Sequence, residues 1–118
     1  MTQNINLTIK FPLNLPNKNG TVFTQDAVHN AFAEVKAIPM PIIDYTQDKM
    51  GNVVGAATPS AYCETYNSCS ISNDCFFFND TCLKEFDMEY MINKSHKNQD
   101  GTIIIDDFRI MSMSIVED

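Results

Sequence analysis

The chain has no tryptophan, four glycines, five prolines and two histidines in 118 residues, and nowhere does it stay apolar for long. No stretch approaches the ~18 apolar residues of a membrane-spanning helix. The opening MTQNINLTIKFPLNL has neither a basic leader nor a continuous apolar segment, so the expectation is a soluble chain made in a cytoplasm, with no membrane partner. Basic residues are also scarce. Lys and Arg number 8 against 15 Asp and Glu, for a net charge of -7, and such a surface repels nucleic acid. With no low-complexity tract and 44% hydrophobic residues, the composition is that of an ordinary globular protein.

The metal signals are equally thin. Cys63, Cys69, Cys75 and Cys82 are spaced C-x5-C-x5-C-x6-C, without the close pair that lets a tight turn present two thiolates to zinc. Free, partly buried thiols are expected, reduced at synthesis, with no metal and no cofactor. Asp106 and Asp107 together with Glu85, Asp87 and Glu89 lack the alternate-position ligands of a calcium loop and read as solvated acidic faces. The sequons at Asn6, Asn79 and Asn93 carry no weight in a chain expected to stay unsecreted.

What is present is periodic. Ile5, Leu7, Ile9 and Phe11 alternate with Asn6, Thr8 and Lys10, a half-buried strand. Pro12 and Pro16 end it. Asn19-Gly20 is a turn dipeptide needing positive φ at the glycine, and Thr21-Phe23 is a brief extended segment after it. Thr24 reads as the N-cap of a helix, with Asp26 suited to the positive end of the dipole. Ala27, Val28, Ala31, Phe32 and Val35 recur at helical spacing, so Val28, Phe32 and Val35 are expected on the sheet, until Pro39 and Pro41 stop the helix.

Pro41-Asp44 reads as a short strand and Thr46-Gly51 as its turn. Asn52-Ala57 is a further strand in which Gly55 allows another chain to approach closely. Thr58-Asp74, rich in Ser, Asn and Thr, reads as a long surface excursion, with Cys75 to Phe78 returning to the core. Phe86, Met88, Tyr90 and Ile92 alternate with acids as a strand, Asn93-Gly101 is a turn, and Thr102-Val116 is a long extended run whose apolar face switches at Asp106-Asp107, predicting a bulge. The result is a single domain, 1–118, of α+β class: mainly antiparallel β-sheet or a small barrel, with one principal helix at about residues 24–37.

The order strand, N-x-N-G-x-x-[FY]-T, amphipathic helix, Pro-bearing short strand and G-x-V-x-G resembles the opening of the prohead (capsid maturation) proteases of tailed phages. The matching residues are Asn17 to Thr24, the helix carrying Ala27 and Phe32, Pro41-Ile42-Ile43, and Gly51 to Gly55, with Met113-Ser114-Ile115-Val116 resembling the serine-bearing strand. The resemblance covers about half the chain. It implies a herpesvirus-protease-like β-barrel that cuts with a Ser-His pair, the His following the Pro-bearing strand. Here that neighbourhood is Pro41-Ile42-Ile43-Asp44-Tyr45-Thr46-Gln47, without a His. A serine hydroxyl needs an adjacent base at neutral pH. His29 lies near the edge of the helical apolar stripe and His96 in a polar turn, neither placed by sequence next to Ser112 or Ser114.

The resulting expectation is a non-catalytic virion structural protein, head-associated or decorating the capsid, that binds other phage structural proteins; self-association is left open. Long loops in small domains are usually functional and aromatics dominate interfaces, so the expected contact residues are Tyr62, Tyr66, Phe76, Phe77 and Phe78. Two alternatives stand beside this reading: a small acidic phage inhibitor of a host defence complex, and a serine-type maturation protease with a displaced His.

Overall fold

A computed structural model describes residues 3–46, 51–78 and 85–116; Cys82 and the sequon at Asn79 lie outside them. Seven strands and one helix follow in the order β1 (Gln3–Pro12), β2 (Thr21–Phe23), α1 (Gln25–Val35), β3 (Met40–Asp44), β4 (Asn52–Thr65), β5 (Ser68–Phe77), β6 (Glu85–Lys97) and β7 (Ile103–Val116). All seven strands join one sheet, curled into a half-barrel. The architecture is α+β with sheet predominating. The pairs β1–β5, β5–β4, β4–β3 and β6–β7 are antiparallel, whereas β2 and β3 run parallel to β7. β6 lines one side of β7. On the other side β2 takes Ile103 to Ile105 and β3 takes Met113 to Ile115.

The joint between β1 and α1 works as its residues suggest. Gly20 has φ +74, a conformation that costs an L side chain strain. Asn17 Oδ1 accepts from the backbone N–H of Asn19 and of Thr21, at 2.9 and 3.1 Å, which holds the turn shut. Ile103 N–H donates to the Gly20 carbonyl at 3.0 Å, tying the turn to β7. Thr24 then caps α1: its side chain accepts from the Ala27 N–H at 3.3 Å and donates to the Ile105 carbonyl at 3.0 Å. The entry angle of the helix is thus fixed from both ends of a short segment.

Ala27, Val28, Ala31 and Val35 of α1 are buried against the sheet. Phe32, expected among them, is only half-buried and leans on Tyr62, ring centroids 5.7 Å apart. The small Ala27 and Ala31 allow the helix close approach, and Phe32 sits on the flank of that contact. The aromatic centre of the core is Phe23, which meets Phe11, Phe108 and Tyr90 at 5.1, 5.1 and 5.2 Å.

The expected excursion at Thr58–Asp74 is instead a long hairpin, β4 and β5, turning at Tyr66-Asn67 with Asn67 at φ +61. Its outer residues are Ser70, Ser72 and Asp74, while Cys69, Ile71, Asn73, Cys75 and Phe77 point inward. Small thiols and one amide thus fill positions that aliphatic residues more often hold. Asn73 is fully buried where β4 slips register between Pro59 and Ala61, and its amide donates to the carbonyls of Leu7 and Ile71 at 3.3 and 3.2 Å. Gly55 is the expected site of close approach: a β-carbon there would fall 2.0 Å from the Phe76 carbonyl oxygen. The β6–β7 turn is shorter than expected, closing at Asn98 to Gly101, and the expected bulge is present at Asp106.

Among the described strands β1 bonds to β5, and β6 and the short β2 each bond to β7, so these three are edges of the curl. β1 and β6 approach each other without pairing. They run in the same direction. Between them lies a cavity of about 290 Å³, lined by Thr8 to Phe11 and Asn17 to Asn19 on one side and Glu85 to Met88 and Tyr90 on the other.

Candidate functional site

Of the five expected contact residues, the hairpin brings two together on its outside. Phe76 and Phe78, 37% and 49% exposed, form an edge-to-face pair with centroids 5.8 Å apart. Strand alternation produces this: Phe76 faces out with Asp74, between Asn4 of β1 and Ala56 of β4. Ala56 is too small to cover the ring. Asn6 donates to Asp74 at 3.1 Å, and Thr8 Oγ lies 3.4 Å from Ser72 Oγ, so polar pairs continue the same face away from the aromatics.

The other three separate. Phe77 is a core residue, 1% exposed, because it alternates inward and pairs with Gly55; it offers nothing to a partner. Tyr62 is half-buried under α1, with its hydroxyl donating to Glu64 at 3.0 Å. Burial, reinforced by the Glu64 carboxylate, raises its pKa well above the ordinary phenol value. Tyr66 stands at the tip of the hairpin, 93% exposed, far along the ribbon from the Phe pair.

The serines of β7 have no histidine beside them. His96 lies 2.7 Å from Asp106, and His29 lies 3.1 Å from Glu64. His96 pairs with Ile104 while Ser112 pairs with Glu89, which separates the two by roughly 23 Å along β6 at ~3.3 Å per residue. Ser112, 5% exposed, instead donates to Glu89 Oε1 at 2.8 Å, and Tyr45 donates to both oxygens of the same carboxylate at 3.1 and 3.0 Å. The hydrogen bond to Glu89 is the main cause of a raised Tyr45 pKa, because the carboxylate accepts the phenolic proton and opposes a second negative charge. Sequence reasoning missed this Ser112–Glu89–Tyr45 link, which joins three strands. Ser114 is buried too, with only a long 3.5 Å contact to the Asp87 carbonyl.

The thiols divide by alternation. Cys63 is exposed, whereas Cys69 and Cys75 are buried. Burial pushes the Cys69 thiol up to about 12, helped by the Glu64 carboxylate and opposed by a hydrogen bond with Tyr62. Burial likewise pushes Cys75 up to about 11. Neither has the electropositive setting of a reactive cysteine. Among the described residues no group of three His, Cys, Asp or Glu side chains is placed to hold a metal ion, and no helix is long and apolar enough to cross a membrane. Comparison with protein-family models, with curated proteins and with solved structures finds no match.

Proposed function

We propose that the chain is a non-catalytic structural protein of a phage particle, associated with the head or decorating the capsid, that binds other structural proteins through the outer face of β4 and β5. The observation that carries this reading is the exposed Phe76–Phe78 pair. An aromatic pair left in water at the end of an otherwise polar face is the type of anchor on which interfaces concentrate their binding energy. The phage assignment rests on the sequence resemblance, and the succession of turn, capped helix and Pro-bearing strand supports it. The test is a titration of purified capsid protein with wild type and with Phe76→Ser/Phe78→Ser, the fold monitored by circular dichroism. Loss of two anchors should weaken binding roughly 30-fold or more, and apolar anchors make that binding tolerant of salt. Equal affinity for the double variant would remove the face from consideration.

A second reading, a serine-type protease, draws on Ser112 and Glu89. The carboxylate would have to take the serine proton, and it already accepts the hydrogen bonds of both Ser112 and Tyr45, with no histidine beside it to act as the base. A serine-directed phosphonate that labelled Ser112, and failed to label it in Glu89→Gln, would establish this reading over the first.

A further inference from the structure

Opposite charges stand on opposite walls of the cavity between β1 and β6, and they do not meet. Lys10 and Lys18 line the β1 side and Glu85 and Asp87 the β6 side, yet among the described residues no ion pair crosses between them. Polar groups on both walls are already oriented. Asn17 Oδ1 is taken up by the backbone N–H groups of Asn19 and Thr21, which leaves its amide nitrogen as a further donor on the lysine side. Asp87 Oδ1 accepts from the Met88 N–H at 2.8 Å, which leaves the second carboxylate oxygen as an acceptor on the facing side. Burial, joined by the Asp87 charge, raises the Tyr90 pKa, so that phenol keeps its proton near the carboxylate. Phe11, Phe23 and Phe86 supply the apolar part of the lining. An apolar hollow with a few convergent polar groups, at the mouth of a curled sheet, is the general form of a small-molecule site.

Size decides the class of occupant. The α-carbons of β1 and β6 come within 8 Å of each other, short of the ~10 Å that a strand bonded to both edges would need, so no peptide strand fits between them. The volume of about 290 Å³ is that of roughly ten water molecules, and suits a ligand with on the order of ten non-hydrogen atoms. We propose that this cavity binds a free α-amino acid with a large apolar side chain, its carboxylate held by Lys10, Lys18 and the Asn17 amide, its ammonium by Glu85 and Asp87, and its side chain against Phe11 and Phe86. A purely anionic ligand would leave the two acids without a counter-charge, and a purely cationic one would leave the two lysines so. Unmatched charge is costly in a site from which the ligand expels water. A zwitterion answers both walls, through the charge-assisted hydrogen bonds that are the strong ones. The site shares no residue with the Phe76–Phe78 pair, and the proposal is independent of what that pair binds.

Calorimetric titration of the whole chain with L-phenylalanine tests it, beside two probes that each lack one charge, phenethylamine and 3-phenylpropionate. Wild type should bind L-phenylalanine in the sub-millimolar range, and each one-charge probe roughly tenfold more weakly or worse. Backbone amide NMR shifts during the titration should gather at residues 8–11, 17–19 and 85–90. Two double variants at exposed positions, checked for folding by circular dichroism, assign the walls. Lys10→Gln/Lys18→Gln should erase the preference over phenethylamine, and Glu85→Gln/Asp87→Asn the preference over 3-phenylpropionate. Failure of L-phenylalanine, L-tyrosine, L-leucine and L-methionine all to bind at about 10 mM would overturn the proposal. So would one-charge probes that bind as well as the amino acid, shifts centred elsewhere, or folded variants that keep both preferences.

Discussion

Gly55→Ala puts one carbon where β4 and β5 leave no room. The new β-carbon would lie 2.0 Å from the Phe76 carbonyl oxygen and 3.0 Å from both the Phe76 carbonyl carbon and the Phe77 α-carbon. All three neighbours are backbone, so no side chain can swing aside. Since real β-carbons essentially never come within 3.0 Å of such atoms, the strands must part by about 1 Å at this point. The nearby bond from Phe78 N–H to the Val54 carbonyl, now 3.0 Å, would stretch beyond useful range. Overpacking of this kind costs ~1–3 kcal/mol and each stretched ladder bond about 1 kcal/mol. Against this, Ala restricts the unfolded chain and returns ~0.4–1 kcal/mol. The expected net loss is roughly 2–3 kcal/mol, read from urea unfolding followed by far-UV circular dichroism, since the chain has no tryptophan to report fluorescence. A Gly55→Ala protein within ~0.5 kcal/mol of wild type would refute the close approach and the β4–β5 register with it.

Gly20→Ala should cost ~1–2 kcal/mol for a different reason, because nothing lies within 4 Å of the new carbon and only φ +74 penalises it; unchanged stability would remove the strain argument. Phe77→Ala should cost ~3–5 kcal/mol and Tyr66→Ala less than ~0.5 kcal/mol, so equal effects in denaturation would contradict the inward and outward assignments of the hairpin. Cys63 should be alkylated by iodoacetamide in the native protein long before Cys69 and Cys75, which mass mapping would detect. The buried thiols also set an alkaline limit. Their folded pKa values, about 12 and about 11, lie above the 9.0 of the open chain, so the folded state holds protons that the unfolded state has lost. Stability from this source is whole below pH 9 and falls as pH rises toward 11 and 12; stability that rose over that range would contradict the burial.

Local patterns carried much of the fold. The alternation of β1, the Thr24 cap, the Gly20 turn, the close approach at Gly55 and the bulge at Asp106 each depend on a few neighbouring residues, and each is present. The β4–β5 hairpin was hidden because its inward positions are Cys69, Asn73 and Cys75, types read as loop or thiol chemistry until β1 and the barrel interior cover them. Phe32 misled for a related reason: helical spacing marks a stripe but not its centre, and the alanines occupy the centre. The Ser112–Glu89–Tyr45 link was illegible because its members come from β7, β6 and the end of β3, brought together only by long-range pairing. Of the five expected contact residues, exposure depends on strand phase, and a one-residue alternation separates Phe77 from Phe76 and Phe78.

The claim that this protein acts through its outer face as part of a particle is tested most directly by quantitative mass spectrometry of purified phage particles assembled with either wild type or Phe76→Ser/Phe78→Ser. The account predicts the wild-type chain in the particles and the double variant, still folded, left behind in the cell extract. Wild type confined to the extract, as an inhibitor of a host complex would be, or the double variant incorporated at the wild-type level, would contradict it.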